Sequence, residues 1–130
     1  MKKISFIFCM VLLMFTACSE PHEARIVTIS PEEMQSLISA DDVQMVDVRS
    51  HEERLSDGYI KDSQHIDFSS ETFEEDIENL DKNKPVALYC STGNRSSECA
   101  EKLKAAGFVK IFDLKGGMSE WKHQGKEVIK

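Results

Sequence analysis

From Arg25 onward, short unbroken apolar runs alternate with stretches whose apolar residues recur every three or four positions. Runs of the first kind suit strands buried on both faces, and stretches of the second kind suit amphipathic helices. Their alternation predicts an α/β fold built on a mainly parallel sheet. Strands are expected over 25–29, 43–48, 86–89 and 109–114, with a short one over 65–68. Ser30-Pro31-Glu32-Glu33 and Ser50-His51-Glu52-Glu53 are capping boxes, in which the serine accepts from the third helical N–H and the glutamate reaches back. They open helices running to about Ser39 and Gly58, the first with Pro31 at its favoured first position. Further helices are expected over 72–80, with Phe73, Ile77 and Leu80 on one face, over 96–106, with Cys99, Ala100 and Leu103 inward, and over 118–124, around Trp121.

The first 18 residues follow a different pattern. Lys2 and Lys3 precede an uncharged apolar run from Ile4 to Phe15, then Thr16-Ala17-Cys18. A basic start, about a dozen apolar residues and a small-residue cut site describe an export signal, and the run is short for a membrane span of about 20 residues. Phe15-Thr16-Ala17-Cys18 resembles the lipobox of bacterial lipoproteins, with Phe15 where leucine is usual. That resemblance implies lipidation of Cys18, a signal over 1–17, a polar tether over 18–24 and a domain over 25–130. The expected location is outside the cytoplasm, on a membrane facing the periplasm or exterior and held only through the lipid.

Charge narrows the function. The 130-residue chain carries 23 acids against 16 bases, a net −7, with no clustered basic stripe for nucleic acid. Loss of the 17-residue signal, which holds two lysines and no acid, leaves 113 residues at net −9. The four cysteines, at 9, 18, 90 and 99, show neither a CxxC pair nor a zinc spacing, and His22, His51, His65 and His123 share no ligand spacing, so neither metal nor cofactor is expected.

Cys90 ends the 86–89 strand and is followed by Ser91-Thr92-Gly93-Asn94-Arg95-Ser96. A cysteine at the carboxyl end of a central strand, ahead of a glycine-containing loop and a helix start, lies where open α/β sheets place ligands. Loop N–H groups and the helix start concentrate positive potential there and favour thiolate over thiol. Gly93 permits backbone geometry closed to other residues, Arg95 offers a forked donor set for oxyanions, and 91–96 contains no acid.

These residues resemble the single-domain rhodanese family of sulfurtransferases. The likeness is carried by Val46-Asp47-Val48-Arg49 with Glu52 or Glu53 and Gly58-Tyr59-Ile60, by the Tyr89 to Ser96 segment, by Leu103 to Phe108, and by Leu114-Lys115-Gly116-Gly117 ahead of Trp121. Gly58-Tyr59-Ile60 departs from the usual Gly-His-Ile. The resemblance implies a five-stranded sheet flanked by helices on both faces and a Cys90 that cycles between thiolate and persulfide. Thiosulfate or a persulfide would donate sulfur, and cyanide, a small thiol or a thiol protein would accept it, with the protein working as a monomer. Four residues separate Cys90 from Arg95, whereas related cysteine phosphatases enclose five, which favours sulfur over phosphate or arsenate chemistry. A non-catalytic sulfur-carrier or interaction module is the alternative.

Other residues carry plainer readings. Asp47 and Arg49 are expected as a structural ion pair, Cys99 as core, and Arg54 and Lys61 as solvated surface. Glu71, Glu74, Glu75, Asp76 and Glu78 are expected to form a solvated acidic face.

Overall fold

The structure, a computed structural model, describes residues 23–40 and 42–130. The export signal, Cys9, Cys18 and the tether as far as His22 lie outside the described residues. Five strands, β1 (Arg25–Ile29), β2 (Gln44–Asp47), β3 (Gln64–His65), β4 (Val86–Tyr89) and β5 (Lys110–Leu114), form one sheet in the order β1-β5-β4-β2-β3. Every ladder in it is parallel, which sharpens the expectation of a mainly parallel sheet. Between the strands run α1 (Pro31–Ile38), α2 (His51–Asp57), α3 (Phe73–Ile77), α4 (Asn94–Ala105) and, after β5, α5 (Gly117–His123).

Strand alternation sorts the core into two layers. Val46, Val48, Val86, Leu88, Cys90 and Ile111 face α3 and α4, packing on Phe73, Ile77, Cys99, Ala100 and Leu103. Met45, Ala87, Tyr89 and Phe112 face α1 and α5, packing on Met34, Met118 and Trp121. Both faces of β4 are therefore covered, which accounts for its unbroken apolar sequence. The alternation also aims the Cys90 side chain at α4 and the Tyr89 side chain at the opposite face.

Three elements differ from the sequence pattern by more than one residue at an end. The short strand is Gln64–His65 instead of 65–68. Beyond it only two bonds persist, Ile66 N–H to the Asp47 carbonyl at 3.0 Å and Phe68 N–H to the Val48 carbonyl at 3.1 Å, as the chain leaves the sheet edge. The third helix spans only Phe73–Ile77, because Glu78, Asn79 and Leu80 close it with bonds of 3.1–3.2 Å to carbonyls three residues back. The fourth helix starts at Asn94, two residues early. Gly93 sits at φ 108°, a left-handed conformation that turns the chain straight from the loop into the helix.

Candidate active site

Cys90 leaves β4 at the centre of the sheet, and its loop curls back over its own sulfur. Gly93 N–H donates to Cys90 Sγ at 3.1 Å, and Ser96 Oγ lies 3.5 Å from it. The loop carbonyls point the other way. Those of Cys90 and Ser91 accept from Met118 and Ser119 N–H at 2.8 and 3.0 Å, in the first turn of α5. Carbonyl dipoles are thus drawn off toward α5 while N–H dipoles converge on the sulfur, a concave anion site of backbone origin. Gly117 makes the docking possible: at φ +59°, a Cβ there would stand 2.5 Å from the Cys90 carbonyl oxygen and 2.8 Å from that of Ser91.

Burial alone pushes the Cys90 thiol up. The Ser96 side chain and the N–H groups of Ser96, Gly93 and Thr92 outweigh that, so the thiol stands below its ordinary value of 9.0. Cys99, one helical turn further on, has burial without these donors and is pushed up to about 12. The two cysteines share a core layer but differ in kind: one thiol is poised to ionise and the other packs.

Arg95 does not point free into the site. Its Nη1 and Nη2 donate to the two oxygens of Glu53 at 2.7 and 2.6 Å, and Nη2 also reaches Ser91 Oγ at 3.2 Å. Ser91 Oγ donates in turn to Glu53 at 2.8 Å. The Arg95 guanidinium holds the Glu53 carboxyl well below the usual carboxylate range. Residues 91–96 contain no acid, yet the fold brings one to them from α2. Thr92 and Asn94 are exposed, and their side chains make no hydrogen bonds among the described residues. Ser96 is fully buried in the first turn of α4.

Beneath the loop lies a buried polar network. Asp47 and Arg49, both without solvent exposure, pair at 2.8 Å, and Asp47 also accepts from Arg49 Nε at 2.9 Å and Tyr89 Oη at 3.0 Å. Arg49 continues to the Gly58 carbonyl at 2.6 Å. Arg54 is not the solvated residue its position suggests: it donates to Ser63 Oγ at 2.9 Å and to Asp47 at 3.3 Å, and lies over the Tyr59 ring at 3.9 Å. Lys61 is exposed, as are the acidic residues of the α3 region except half-buried Asp76. Among the described residues, no group of three His, Cys, Asp or Glu side chains is placed to hold a metal ion.

Glu53 and Arg54 are the residues that sequence reasoning missed in these roles. In the sequence Glu53 ends a capping box and is one of two glutamates in the family likeness, and neither signal points to the Cys90 loop. The Tyr89 hydroxyl is hidden within an apolar strand.

The rhodanese-like domain family model matches residues 30–124, which include both capping boxes, the Cys90 loop and α5. The thiosulfate sulfurtransferase GlpE of Coxiella burnetii is 32% identical over 94 residues, covering 72% of this chain and 85% of that protein. An uncharacterised Synechocystis protein, slr1261, is 33% identical over 108 residues, covering 80% of this chain, which spans 56% of that protein's length. The crystal structure of a rhodanese-related protein from Thermoplasma volcanium superposes with a TM-score of 0.70 at 29% identity, covering 79% of this chain and 97% of that one. The chain belongs to the rhodanese-like domain family.

Proposed function

We propose that this protein is a sulfurtransferase that carries a sulfane sulfur on Cys90. The observation that carries this reading is the convergence of loop N–H groups and the Ser96 hydroxyl on one sulfur whose thiol is held below its ordinary value. Such a site stabilises negative charge on the first sulfur as thiolate and on the second as persulfide. In the first half-reaction the thiolate attacks the outer sulfur of a sulfane donor. A new S–S bond forms, the donor's own bond to that sulfur breaks, and sulfite or a thiolate leaves with the bonding pair. In the second half, cyanide or a thiol attacks the terminal sulfur and Cys90 leaves as thiolate, so no external oxidant or reductant is needed.

Intact-protein mass spectrometry tests this. After exposure to a sulfane donor the protein should gain the mass of one sulfur at Cys90 and lose it on addition of cyanide. A Cys90→Ser protein that gains and releases the same mass would refute the assignment. The pattern of residues 1–18 supports a further reading, that the chain is exported and held to a bacterial membrane by a lipid on Cys18.

A further inference from the structure

Attraction for an anion at the Cys90 loop has a backbone part and a side-chain part, and the side-chain part is already engaged. Both terminal nitrogens of Arg95 lie on the Glu53 carboxylate at 2.6 and 2.7 Å, an in-plane double bond pair that uses the guanidinium's best donor directions and offsets its charge. Glu53 is itself held from behind. Ser50 N–H donates to Glu53 Oε2 at 3.0 Å and Glu53 N–H donates to Ser50 Oγ at 3.2 Å, so the carboxylate is fixed to the start of α2. A carboxylate thus sits on the one cation of the loop, and 90–96 contains no second lysine or arginine. What an incoming reagent meets is a ring of N–H dipoles around one sulfur. Those dipoles answer the charge on the sulfur, and the loop's one cation is already offset by Glu53, so a second charge on the reagent finds no free cation in the loop.

We propose that Glu53 sets the charge of the donor, so that the site selects monoanionic sulfane donors, such as a persulfide or a thiosulfonate anion, over dianionic thiosulfate. The inference rests on the reading of Cys90 as the sulfur carrier. With a thiosulfonate, the Cys90 thiolate bonds to the terminal sulfur, the bond from that sulfur to the sulfonyl sulfur breaks, and sulfinate departs with the electron pair. With a persulfide anion the departing group is a thiolate. In each case the enzyme is left as the same Cys90 persulfide that thiosulfate would produce.

Methanethiosulfonate and thiosulfate make a matched pair of probes, since one carries a methyl group where the other carries an oxyanion. The measurement is kcat/KM for each donor, with cyanide as acceptor, in the full chain and in Glu53→Gln. Glutamine keeps the capping box and the side-chain length while removing the charge. The preference for methanethiosulfonate should fall by about fivefold in Glu53→Gln, chiefly through a lower KM for thiosulfate, as one unit of charge at a partly exposed site implies. Glu53→Ala should move the ratio the same way by a similar factor, and it serves where Glu53→Gln does not fold. A ratio that stays fixed or rises in the folded variants overturns the proposal. Wild-type protein that takes sulfur from neither probe instead overturns the carrier reading on which it rests.

Discussion

Ser96 Oγ stands 3.5 Å from the Cys90 sulfur and 3.2 Å from the Gly93 carbonyl oxygen, fully buried in the first turn of α4. One hydroxyl therefore serves both forms of the cysteine. When Cys90 is a thiol, its S–H donates to Ser96 Oγ and the serine proton goes to the Gly93 carbonyl. When Cys90 is a thiolate, the serine proton turns to the sulfur. Ser96→Ala removes this charged-form bond and leaves the backbone donors, so the Cys90 thiol should rise and its alkylation rate near neutral pH should fall several-fold, read by peptide mass spectrometry. Cys99, pushed up to about 12, should stay unmodified under the same conditions. The linkage has a definite sign. A thiol lowered in the folded state adds stability that is present above its ordinary value of 9.0 and is lost as pH falls through the lowered folded value. Wild-type stability relative to Ser96→Ala should therefore grow with pH across that window, and a flat difference in urea midpoints would contradict the hydrogen-bond assignment.

Asp47 is the only acid touching both Arg49 and the Tyr89 hydroxyl among the described residues, and neither Asp47 nor Arg49 has solvent exposure. Asp47→Asn would leave the Arg49 guanidinium buried with only partly exposed Asp57 as a charge partner, at 3.3 Å. Removing one member of a buried pair typically costs about 3–5 kcal/mol. The expected result is a large drop in the urea midpoint, with sulfur loading at Cys90 surviving wherever the variant is folded. Lost loading in a stably folded variant would assign Asp47 to the chemistry.

Much of the fold is legible in the sequence. Four of the five strands, all but Gln64–His65, lie within apolar runs of the sequence, and both capping boxes close with the geometry their residues imply. Local signals of this kind depend on neighbours in sequence, so the sequence carries them in full. The Glu53 to Arg95 pair spans 42 positions and joins α2 to α4, and nothing local in either segment marks the other. The start of α4 is hidden from the sequence for a related reason: the left-handed turn at Gly93 is stabilised by its bond to Cys90, and α5 holds the carbonyls of that loop. Arg54 reads as surface in the sequence because its partners, Asp47 and Ser63, arrive from β2 and from the segment leading into β3.

Gly117 and Gly107 both have positive φ, +59° and +96°, but only Gly117 is crowded. A Cβ at Gly107 would meet nothing within 4 Å, so Gly107→Ala should cost about 1–2 kcal/mol of backbone strain and leave the site untouched. At Gly117 the added carbon would strike the Cys90 and Ser91 carbonyls, and Gly117→Ala must push the loop away from α5. Sulfur loading should then drop at least about tenfold more than in Gly107→Ala at matched stability, as expected when N–H donors move off the reacting atom. Equal losses in the two variants would mean that the α5 contact does not shape the site.

Retention on the membrane provides a separate test of the N-terminal reading. If the lipid on Cys18 is the anchor, Cys18→Ser should move the protein from the membrane to the soluble fraction of broken cells. An unchanged membrane fraction would point to an uncleaved apolar segment as the anchor.

Salt should separate the field of the whole molecule from that of the loop. The chain carries a net −7, whereas the N–H groups around Cys90 form a positive spot whose own loop cation, Arg95, is paired with Glu53. Long-range repulsion of a dianion is screened over about 10 Å at 0.1 M ionic strength, while contacts within the loop are shorter than that and are screened less. Raising ionic strength from very low values should therefore increase kcat/KM for thiosulfate, by about two- to threefold, before ion competition reverses the trend. Methanethiosulfonate, with half the charge, should show the shallower slope. Thiosulfate turnover that falls steadily with added salt would mean that the loop dominates steering, and that Arg95 acts as a free cation in solution despite its bonds to Glu53.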